Sequence, residues 1–166
     1  MKLNLLAWIE ENRHLLKPPV GNQELFLNNG EFIIMVVGGP NKRNDFHINE
    51  GAELFYQLKG EVNIQTYENG KIKDNFLSAN EIMLLPALVP HRPKRPANTV
   101  GLVIEHPRKE EEIDGFLWVC ENCHNTLHKE EENVTDIVNQ LPVIMNRFNG
   151  NAELHTCKNC GTVNYQ

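Results

Sequence analysis

The fold of this chain is decided by residues 53–77, which read ELFYQLKGEVNIQTYENGKIKDNFL. Short runs rich in apolar and β-branched residues, such as Val62 to Tyr67, predict β-strands. The sequence Glu68-Asn69-Gly70-Lys71 predicts a two-residue hairpin, because Asn-Gly accepts the positive φ values that a type I′ turn demands. This stretch therefore predicts antiparallel strands that follow one another directly along the chain.

The same pattern extends in both directions, from Glu24 to His106. Further strand-like runs are Leu25 to Leu27, Phe32 to Val37, Leu54 to Leu58, Ile72 to Leu77, Ile82 to Leu85 and Val100 to Glu105. Many short strands without intervening helices imply a β-sandwich or a β-barrel. Ahead of them, Leu3 to Leu16 has its apolar residues on one helical face and ends at Lys17-Pro18-Pro19. We therefore expect a mainly β fold with one N-terminal helix.

Length and composition limit the class of protein. The chain has 166 residues, of which 40% are hydrophobic and 23% are charged, and this allows one sizeable core with a small appendage. The formal net charge of −6 argues against a general nucleic-acid binder, because phosphate backbones favour clustered Lys and Arg. The apolar runs are too short to cross a membrane, and the N-terminus lacks the pattern of a secretory signal. We therefore expect a cytoplasmic protein without nucleic-acid or membrane partners.

Two histidines and one glutamate have the ligand chemistry of an oxygen-activating iron centre. His47 and Glu53 lie on one segment and His91 lies on another, at positions typical of strand ends. Two imidazoles and one carboxylate on one face of an octahedral metal leave positions open for a substrate and O2. The pattern therefore points to an Fe(II) enzyme. Glu50 is a rival carboxylate ligand, but Glu53 directly enters a strand and is favoured.

The four cysteines form a second metal-ligand pattern. Cys120-x-x-Cys123 is followed by Cys157-x-x-Cys160, and these pairs use every cysteine in the chain. Paired C-x-x-C knuckles bring four thiolates into a closed tetrahedron, which is usually structural and holds zinc or a single iron. Disulfides are the competing interpretation, and the absence of a secretory signal weakens it. His124, which follows Cys123, is an alternative ligand.

The chain after the barrel has a different composition. The charged stretch Lys109 to Glu112 reads as a linker, which divides the chain into residues 1–112 and 113–166. Between the cysteine pairs, Val134 to Met145 predicts a short helix that is broken at Pro142. We therefore expect a small second unit that contains the cysteine knuckles.

Several motifs together are typical of one known family. They are Leu15-Leu16-Lys17-Pro18-Pro19-Val20-Gly21-Asn22, Gly38-Gly39-Pro40-Asn41-Lys42-Arg43-Asn44-Asp45-Phe46-His47, Glu53-Leu54-Phe55-Tyr56-Gln57-Leu58-Lys59-Gly60, Leu84-Leu85-Pro86, Val89-Pro90-His91, Arg95-Pro96, Gly101-Leu102-Val103-Ile104-Glu105 and both cysteine pairs. With these motifs the chain resembles the small-cupin 3-hydroxyanthranilate 3,4-dioxygenases, particularly the bacterial form. The resemblance covers nearly the whole chain. It implies a cupin, a double-stranded β-helix or jelly-roll barrel with an N-terminal helix, in residues 1–112. It implies a rubredoxin-like metal-binding segment in residues 113–166.

The resemblance implies an extradiol-type ring-cleaving reaction. The enzyme would convert 3-hydroxyanthranilate and O2 to 2-amino-3-carboxymuconate 6-semialdehyde, the precursor of quinolinate in tryptophan degradation or NAD biosynthesis. It would hold Fe(II) at His47, Glu53 and His91, and Fe or Zn at the four cysteines. A homodimer is also implied. These expectations come from the resemblance, whereas the residues alone indicate a metal site, an anion-binding arginine and a β-barrel.

The resemblance also implies roles for individual side chains. Arg43 and Arg95 would clamp the substrate carboxylate, a task that suits planar guanidinium groups. Glu105 would accept a proton or a hydrogen bond from the substrate 3-hydroxyl. If Glu105 lies buried opposite one of these arginines, we expect its pKa to be held low. The other substrate-binding residues implied are Val20, Asn22, Glu53, Phe55 and Pro93.

Three positions depart from the family pattern. Ala52 stands where many relatives carry a second acidic residue, Phe46 stands where Tyr is frequent, and Arg92 stands where Ser is frequent. We expect Arg92 to point to solvent, although a cation there could instead tighten substrate binding.

Two other functions compete with the dioxygenase. One competing function is a non-oxidative cupin isomerase or ligand-binding module, which would not require two carboxylate-binding arginines. Another is a zinc ribbon that contacts nucleic acid, which the acidic runs Glu110 to Glu112 and Glu130 to Glu132 oppose.

Overall fold

The computed structural model describes residues 1–18, 21–27 and 30–165. Its helices are α1 (Leu5–Asn12) and α2 (Ile137–Asn149), with short 3₁₀ helices at Arg13–Leu15 and Ala152–His155. Its strands are β1 (Gly21–Leu25), β2 (Ile33–Gly38), β3 (Phe46–Ile48), β4 (Glu53–Lys59), β5 (Val62–Glu68), β6 (Lys71–Lys73), β7 (Phe76–Leu77), β8 (Ile82–Leu85), β9 (His91–Lys94), β10 (Val100–Glu105), β11 (Asp114–Val119) and β12 (Thr126–Glu132). The prediction of many short strands after one helix is confirmed. Among the described residues, no helix has the length and apolarity needed to cross a membrane.

The strands form two antiparallel sheets. One sheet has the order β1-β2-β10-β4-β8, and the other has the order β12-β11-β3-β9-β5-β6, with β7 also paired to β5. Buried side chains from both sheets, such as Val37, Phe55, Ile64 and Val103, share one core. This arrangement confirms the predicted mainly β, jelly-roll fold of the cupin type.

A tight hairpin joins β5 to β6, and the two strands are paired in the second sheet. Glu68 and Lys71 face each other across the turn, and Asn69 and Gly70 have φ angles of 52° and 74°. Both angles are in the left-handed region that a type I′ turn requires. The predicted turn is therefore confirmed.

Helix α1 covers one end of the first sheet. The Asn4 side chain accepts a hydrogen bond from the Ala7 backbone N–H at 3.2 Å and caps the helix. Ile9 packs with Leu25 and Val36 in a small apolar cluster. The expected N-terminal helix is thus present, and it covers the part of the sheet that β1 and β2 form.

The C-terminal part is built onto the second sheet. Strand β11 pairs with β3, so this sheet continues past residue 112, and the division of the chain at that point stays a prediction. Helix α2 runs through Pro142, and the predicted break there is wrong. The helix is held by buried apolar side chains on one face, including Leu141 and Phe148. This packing outweighs the one backbone hydrogen bond that a proline removes.

Candidate metal centre and substrate pocket

Three strands bring the predicted metal ligands together. His47 on β3 and His91 on β9 are direct partners in the strand register, and Glu53 is the first residue of β4. One ligand atom from each of the three buried side chains lies within 4.8 Å of the others. Two imidazole nitrogens and one carboxylate oxygen are a donor set that fits a divalent transition metal. The arrangement is therefore a candidate metal centre. Glu50, the rival ligand, instead accepts a hydrogen bond from the Ile113 N–H at the surface.

The electrostatics of the centre keep its carboxylate charged. Glu53 Oε1 lies 3.2 Å from His91 Nε2 and 3.7 Å from His47 Nδ1. Burial disfavours the carboxylate, but His91 and then His47 outweigh burial and hold the pKa of Glu53 below its usual range. A charged carboxylate next to two imidazoles is the protonation state that a metal requires.

Each histidine ring is oriented by a hydrogen bond on the side away from Glu53. The Nδ1 atom of His91 lies 3.0 Å from the Val89 carbonyl, which leaves its Nε2 atom facing the centre. The Nε2 atom of His47 lies 2.6 Å from Asp114 Oδ2, which leaves its Nδ1 atom facing the centre. Such partners fix the ring orientation of metal-binding histidines. Asp114, at the start of β11, was missed in the sequence because no local motif marks it.

A buried arginine connects this centre to Glu105. Arg108 Nη2 donates to Asp114 Oδ2 at 2.8 Å, and Arg108 Nη1 lies 2.9 Å from Glu105 Oε2. The Asn49 side chain donates to Glu105 at 2.8 Å and to Glu53 at 3.3 Å. Neither Arg108 nor Asn49 was singled out from the sequence. The structure therefore places both acids of the pocket in one hydrogen-bonded network.

The low pKa expected for Glu105 depended on an ion pair with Arg43 or Arg95, and the ionic partner of Glu105 is instead Arg108. Burial, followed by repulsion from the charge of Glu53, raises the pKa of Glu105 to about 7. A carboxyl group with this pKa can take or release a proton near neutral pH.

The two predicted arginines are both buried but differ in their partners. Arg43 forms two hydrogen bonds to Asp45, from Nε at 2.8 Å and from Nη2 at 2.7 Å. Arg95 donates to the Gln57 side chain at 3.1 Å, and within the described part of the chain it has no carboxylate partner. Burial lowers the pKa of Arg95 to about 10, which still leaves it charged at neutral pH. Among the described residues, Arg95 is thus a buried cation without a carboxylate counter-ion.

These groups line one cavity inside the barrel. The predicted residues on its wall are Asn22, Arg43, His47, Glu53, Phe55, His91, Pro93, Arg95 and Glu105. Val20 lies outside the described residues. Other lining residues, which sequence reasoning missed, are Met35, Val37, Asn41, Val103 and Ile137. The wall combines the candidate metal centre, the buried guanidinium group of Arg95 and apolar side chains. This combination suits a small aromatic anion.

The four cysteines also meet. Sγ–Sγ distances are 3.6 Å for Cys120 with Cys160 and 3.6 Å for Cys123 with Cys157. A disulfide would require about 2.05 Å. Four thiolates around one metal, each at about 2.3 Å, would be separated by about 3.8 Å. The sulfur positions therefore fit a tetrahedral zinc or iron site.

The two cysteine knuckles have the same local geometry. The His124 N–H donates to the Cys120 carbonyl at 2.8 Å, and the Gly161 N–H donates to the Cys157 carbonyl at 2.9 Å. His124 and Gly161 both have positive φ angles, 59° and 74°. The ring Nδ1 of His124, the alternative ligand, accepts a hydrogen bond from the Ile72 N–H at 3.4 Å, and His124 lies outside the group of side chains that could hold a metal with the cysteines.

Arg92 does not point to solvent, and that expectation was wrong. Its side chain is fully buried and lies over the Phe46 ring, 4.4 Å from the centroid. It forms an ion pair with Glu121 at 2.8 Å. The C-terminal segment folds back over β9 and covers the surface that Arg92 would otherwise reach.

Comparison with known proteins gives consistent results. The family described as 3-hydroxyanthranilic acid dioxygenase matches residues 1–149. A protein of Bacillus thuringiensis (strain Al Hakam) named 3-hydroxyanthranilate 3,4-dioxygenase is 44% identical over 161 residues, covering 96% of this chain and 89% of the relative. A protein of the same name from Xanthomonas euvesicatoria pv. vesicatoria is 46% identical over 159 residues, covering 96% and 89%. A solved cupin-2 domain protein from Shewanella frigidimarina has a TM-score of 0.48 and 17% identity, covering 64% of this chain and 94% of that protein.

Proposed function

This chain belongs to the 3-hydroxyanthranilic acid dioxygenase family, and from this membership we propose that it cleaves the aromatic ring of 3-hydroxyanthranilate with O2. The product would be 2-amino-3-carboxymuconate 6-semialdehyde, the precursor of quinolinate in tryptophan degradation or NAD biosynthesis. One observation carries the proposal beyond membership. The buried charge of Arg95, which has no carboxylate partner in the part of the chain that the structure describes, shares a cavity with the two-histidine, one-carboxylate centre.

We propose that His47, Glu53 and His91 hold Fe(II). When bound there, ferrous iron supplies open coordination positions for an aminophenol and O2, together with the redox chemistry that activates O2. The protein fixes the orientation of both imidazole rings, because His47 and His91 each form a hydrogen bond on the side of the ring away from Glu53. Glu53 contributes the negative charge that favours a divalent cation at this position.

Arg95 and Arg43 are proposed to bind the substrate carboxylate. A carboxylate would supply the counter-ion that Arg95 lacks, and charge-assisted hydrogen bonds of this kind are stronger than neutral ones. Arg43 is already fixed by two bonds to Asp45, which hold its guanidinium plane in place on the cavity wall. One arginine therefore supplies net charge, and the other supplies a rigid donor group.

Glu105 is proposed to accept the proton of the 3-hydroxyl group. Its pKa of about 7 suits a group that takes a proton from a bound phenol near neutral pH. Arg108 and Asn49 both contact Oε2 of Glu105 and fix the orientation of the carboxyl group. Asn22, Phe55 and Pro93 would complete the pocket wall around the ring.

We also propose a homodimer that forms through the outer face of the first sheet. Edge strand β8 exposes Ile82 and Leu84, each at 66% of its surface. These residues pair with Tyr56 and Leu54 on β4, so four large side chains form one continuous apolar face. A second copy would cover this face and the open edge of β8.

The four cysteines and the location of the protein complete the proposal. The Cys120–Cys123 and Cys157–Cys160 knuckles would hold iron or zinc, since both metals bind to four thiolates in a tetrahedral site. A centre of reduced thiolates, rather than disulfides, supports a cytoplasmic location.

The decisive experiment is simultaneous measurement of O2 uptake and semialdehyde absorbance. Protein reconstituted with Fe(II) under anaerobic conditions is mixed with 3-hydroxyanthranilate and air. We expect one O2 consumed for each product molecule formed, and none with Zn(II)-reconstituted protein as the matched control. No O2 uptake at verified iron occupancy would overturn the proposal in favour of a non-oxidative cupin.

A further inference from the structure

Arg92 lies between the two candidate metal centres. It follows His91 on β9, and because side chains alternate along a strand, it points to the opposite face. Its Nη1 atom lies 2.8 Å from Glu121 Oε1 and 3.3 Å from the Tyr165 hydroxyl. Glu121 belongs to the first cysteine knuckle, and Tyr165 follows the second. Arg92 therefore contacts the four-cysteine segment on both sides of its metal site.

On the barrel side, Arg92, which is itself on β9 beside His91, contacts β5, β3 and the segment that leads into β3. Its Nε and Nη2 atoms donate to Gln65 Oε1 at 3.1 and 2.7 Å, and its Nη1 atom donates to the Asn44 carbonyl at 3.1 Å. Its guanidinium group covers Phe46, which immediately precedes His47. A change in the position of Arg92 would thus be transmitted to β3 as well as β9.

The position of Glu121 depends on the folded cysteine segment. The Glu121 N–H donates to the Asn164 side chain at 2.9 Å. The Tyr165 hydroxyl lies 2.9 Å from Glu121 Oε1 and 2.8 Å from the Val119 carbonyl. Cysteine-bound metals of this type supply much of the folding energy of the segment that holds them. Without its metal, this segment would no longer hold Glu121 against Arg92.

Losing Glu121 would leave Arg92 as a buried cation without its carboxylate. A buried charge without a partner is strongly unfavourable, so the side chain would move or water would enter beside it. Either response disturbs the packing behind His91 and beneath Phe46. The ligand geometry of the first centre would then be less well fixed, and metal affinity depends on that geometry.

We propose that Arg92 is a positioning residue that couples occupancy of the four-cysteine centre to the metal affinity of the His47–Glu53–His91 centre. The coupling is reciprocal, since each bound metal stabilises the arrangement that the other requires. The proposal rests on the metal centre of the proposed function, and it is independent of substrate and turnover.

The test is a double-mutant cycle on metal affinity. The Fe(II) dissociation constant of the histidine centre is measured anaerobically against a chelator in the wild type, Arg92→Met, Cys157→Ser/Cys160→Ser and the combined variant, with zinc supplied to the cysteine site. We expect the cysteine changes to weaken Fe(II) binding about tenfold or more in the wild-type background. In the Arg92→Met background, they should have little further effect.

Controls separate coupling from loss of folding. Glu121→Gln keeps the shape of the side chain and removes its charge, so it should give a smaller loss that also disappears in the cysteine variant. Arg147→Met is the matched control, because Arg147 pairs with Glu130 and Glu132 on the same segment. It should leave the effect of the cysteine changes intact. Circular dichroism verifies that each variant is folded.

Two outcomes would overturn the proposal. One is unchanged Fe(II) affinity in a folded cysteine variant that is verified to lack the second metal. The other is a combined variant whose Fe(II) dissociation constant rises by the product of the fold-changes in Arg92→Met and in the cysteine variant. That result would mean that the two changes act independently. Because the readout is a dissociation constant, failure of the ring-opening reaction would leave this test unaffected.

Discussion

The carboxylate of Asp114 lies 2.6 Å from Nε2 of His47, and the same oxygen accepts a hydrogen bond from Arg108 at 2.8 Å. Asp114 is fully buried, but its hydrogen bonds with His47 and then with Arg108 outweigh that burial and hold the pKa of Asp114 below its usual range. A charged carboxylate behind a metal-binding imidazole fixes the ring and increases its basicity. His47 is therefore oriented so that Nδ1, not Nε2, faces Glu53.

This relationship predicts the effect of removing Asp114. The Asp114→Ala variant should bind Fe(II) about 10–100-fold more weakly, because His47 loses the partner that orients its ring. Asp114→Asn keeps an acceptor and should lose less. The measurement is an anaerobic chelator competition, with Glu10→Ala as a control, since Glu10, on the exposed surface of α1, pairs with Arg13. Equal affinity in Asp114→Ala and wild type would remove Asp114 from the metal centre.

Glu105 should affect turnover and leave metal binding unchanged. The Glu105→Gln variant cannot accept the hydroxyl proton, so kcat should fall by about 10²–10⁴. The Fe(II) dissociation constant should stay close to that of the wild type, because Glu105 lies outside the group of ligand atoms. Single-turnover kinetics at verified iron occupancy checks this. A variant with normal kcat would show that Glu105 does not act on the proton.

The two pocket arginines should differ in their effect on stability. Arg43→Met leaves Asp45 buried without its partner, and this should lower the free energy of unfolding by about 3–5 kcal/mol. Arg95→Met removes a buried charge that has no carboxylate partner among the described residues, so the loss should be much smaller. Denaturant unfolding of the metal-free protein measures both. Equal destabilisation would show that Arg95 is as well compensated as Arg43.

Arg43→Met and Arg95→Met should weaken substrate binding to a similar extent. Loss of either guanidinium should weaken binding of the substrate carboxylate by about 2–5 kcal/mol, seen as a higher KM. Steady-state kinetics with 3-hydroxyanthranilate checks this. An unchanged KM in Arg95→Met would show that its charge does not meet the substrate.

The grouping of the three candidate ligands could be predicted from the sequence, whereas the residues behind them could not. His47, Glu53 and His91 have distinctive chemistry and lie at strand ends, and both features are visible locally. Asp114 contacts His47 from 67 residues away, and no spacing rule connects the two positions. Its role becomes visible only once β11 is paired with β3.

The wrong predictions for Arg92 and Pro142 both result from long-range packing, which local strand and helix patterns do not show. Alternation along β9 correctly places Arg92 opposite His91, but solvent is absent there because Glu121 and Tyr165 cover that side. The helix break at Pro142 was predicted from a local rule, and burial of the apolar face of α2 overrides it. In both cases long-range packing decided the outcome. The β5–β6 turn, which depends only on Asn69 and Gly70, was predicted correctly.

The apolar face of the first sheet predicts the effect of a surface charge on assembly. Leu84 is 66% exposed on edge strand β8 and pairs with Leu54. Leu84→Lys should convert a dimer into a monomer, because a lysine at the centre of an apolar interface loses its hydration. Sedimentation velocity measures this. Phe76→Lys is the matched control, since Phe76 is 63% exposed on the other sheet and should leave the assembly unchanged. A Leu84→Lys dimer with the stability of the wild type would place the interface elsewhere.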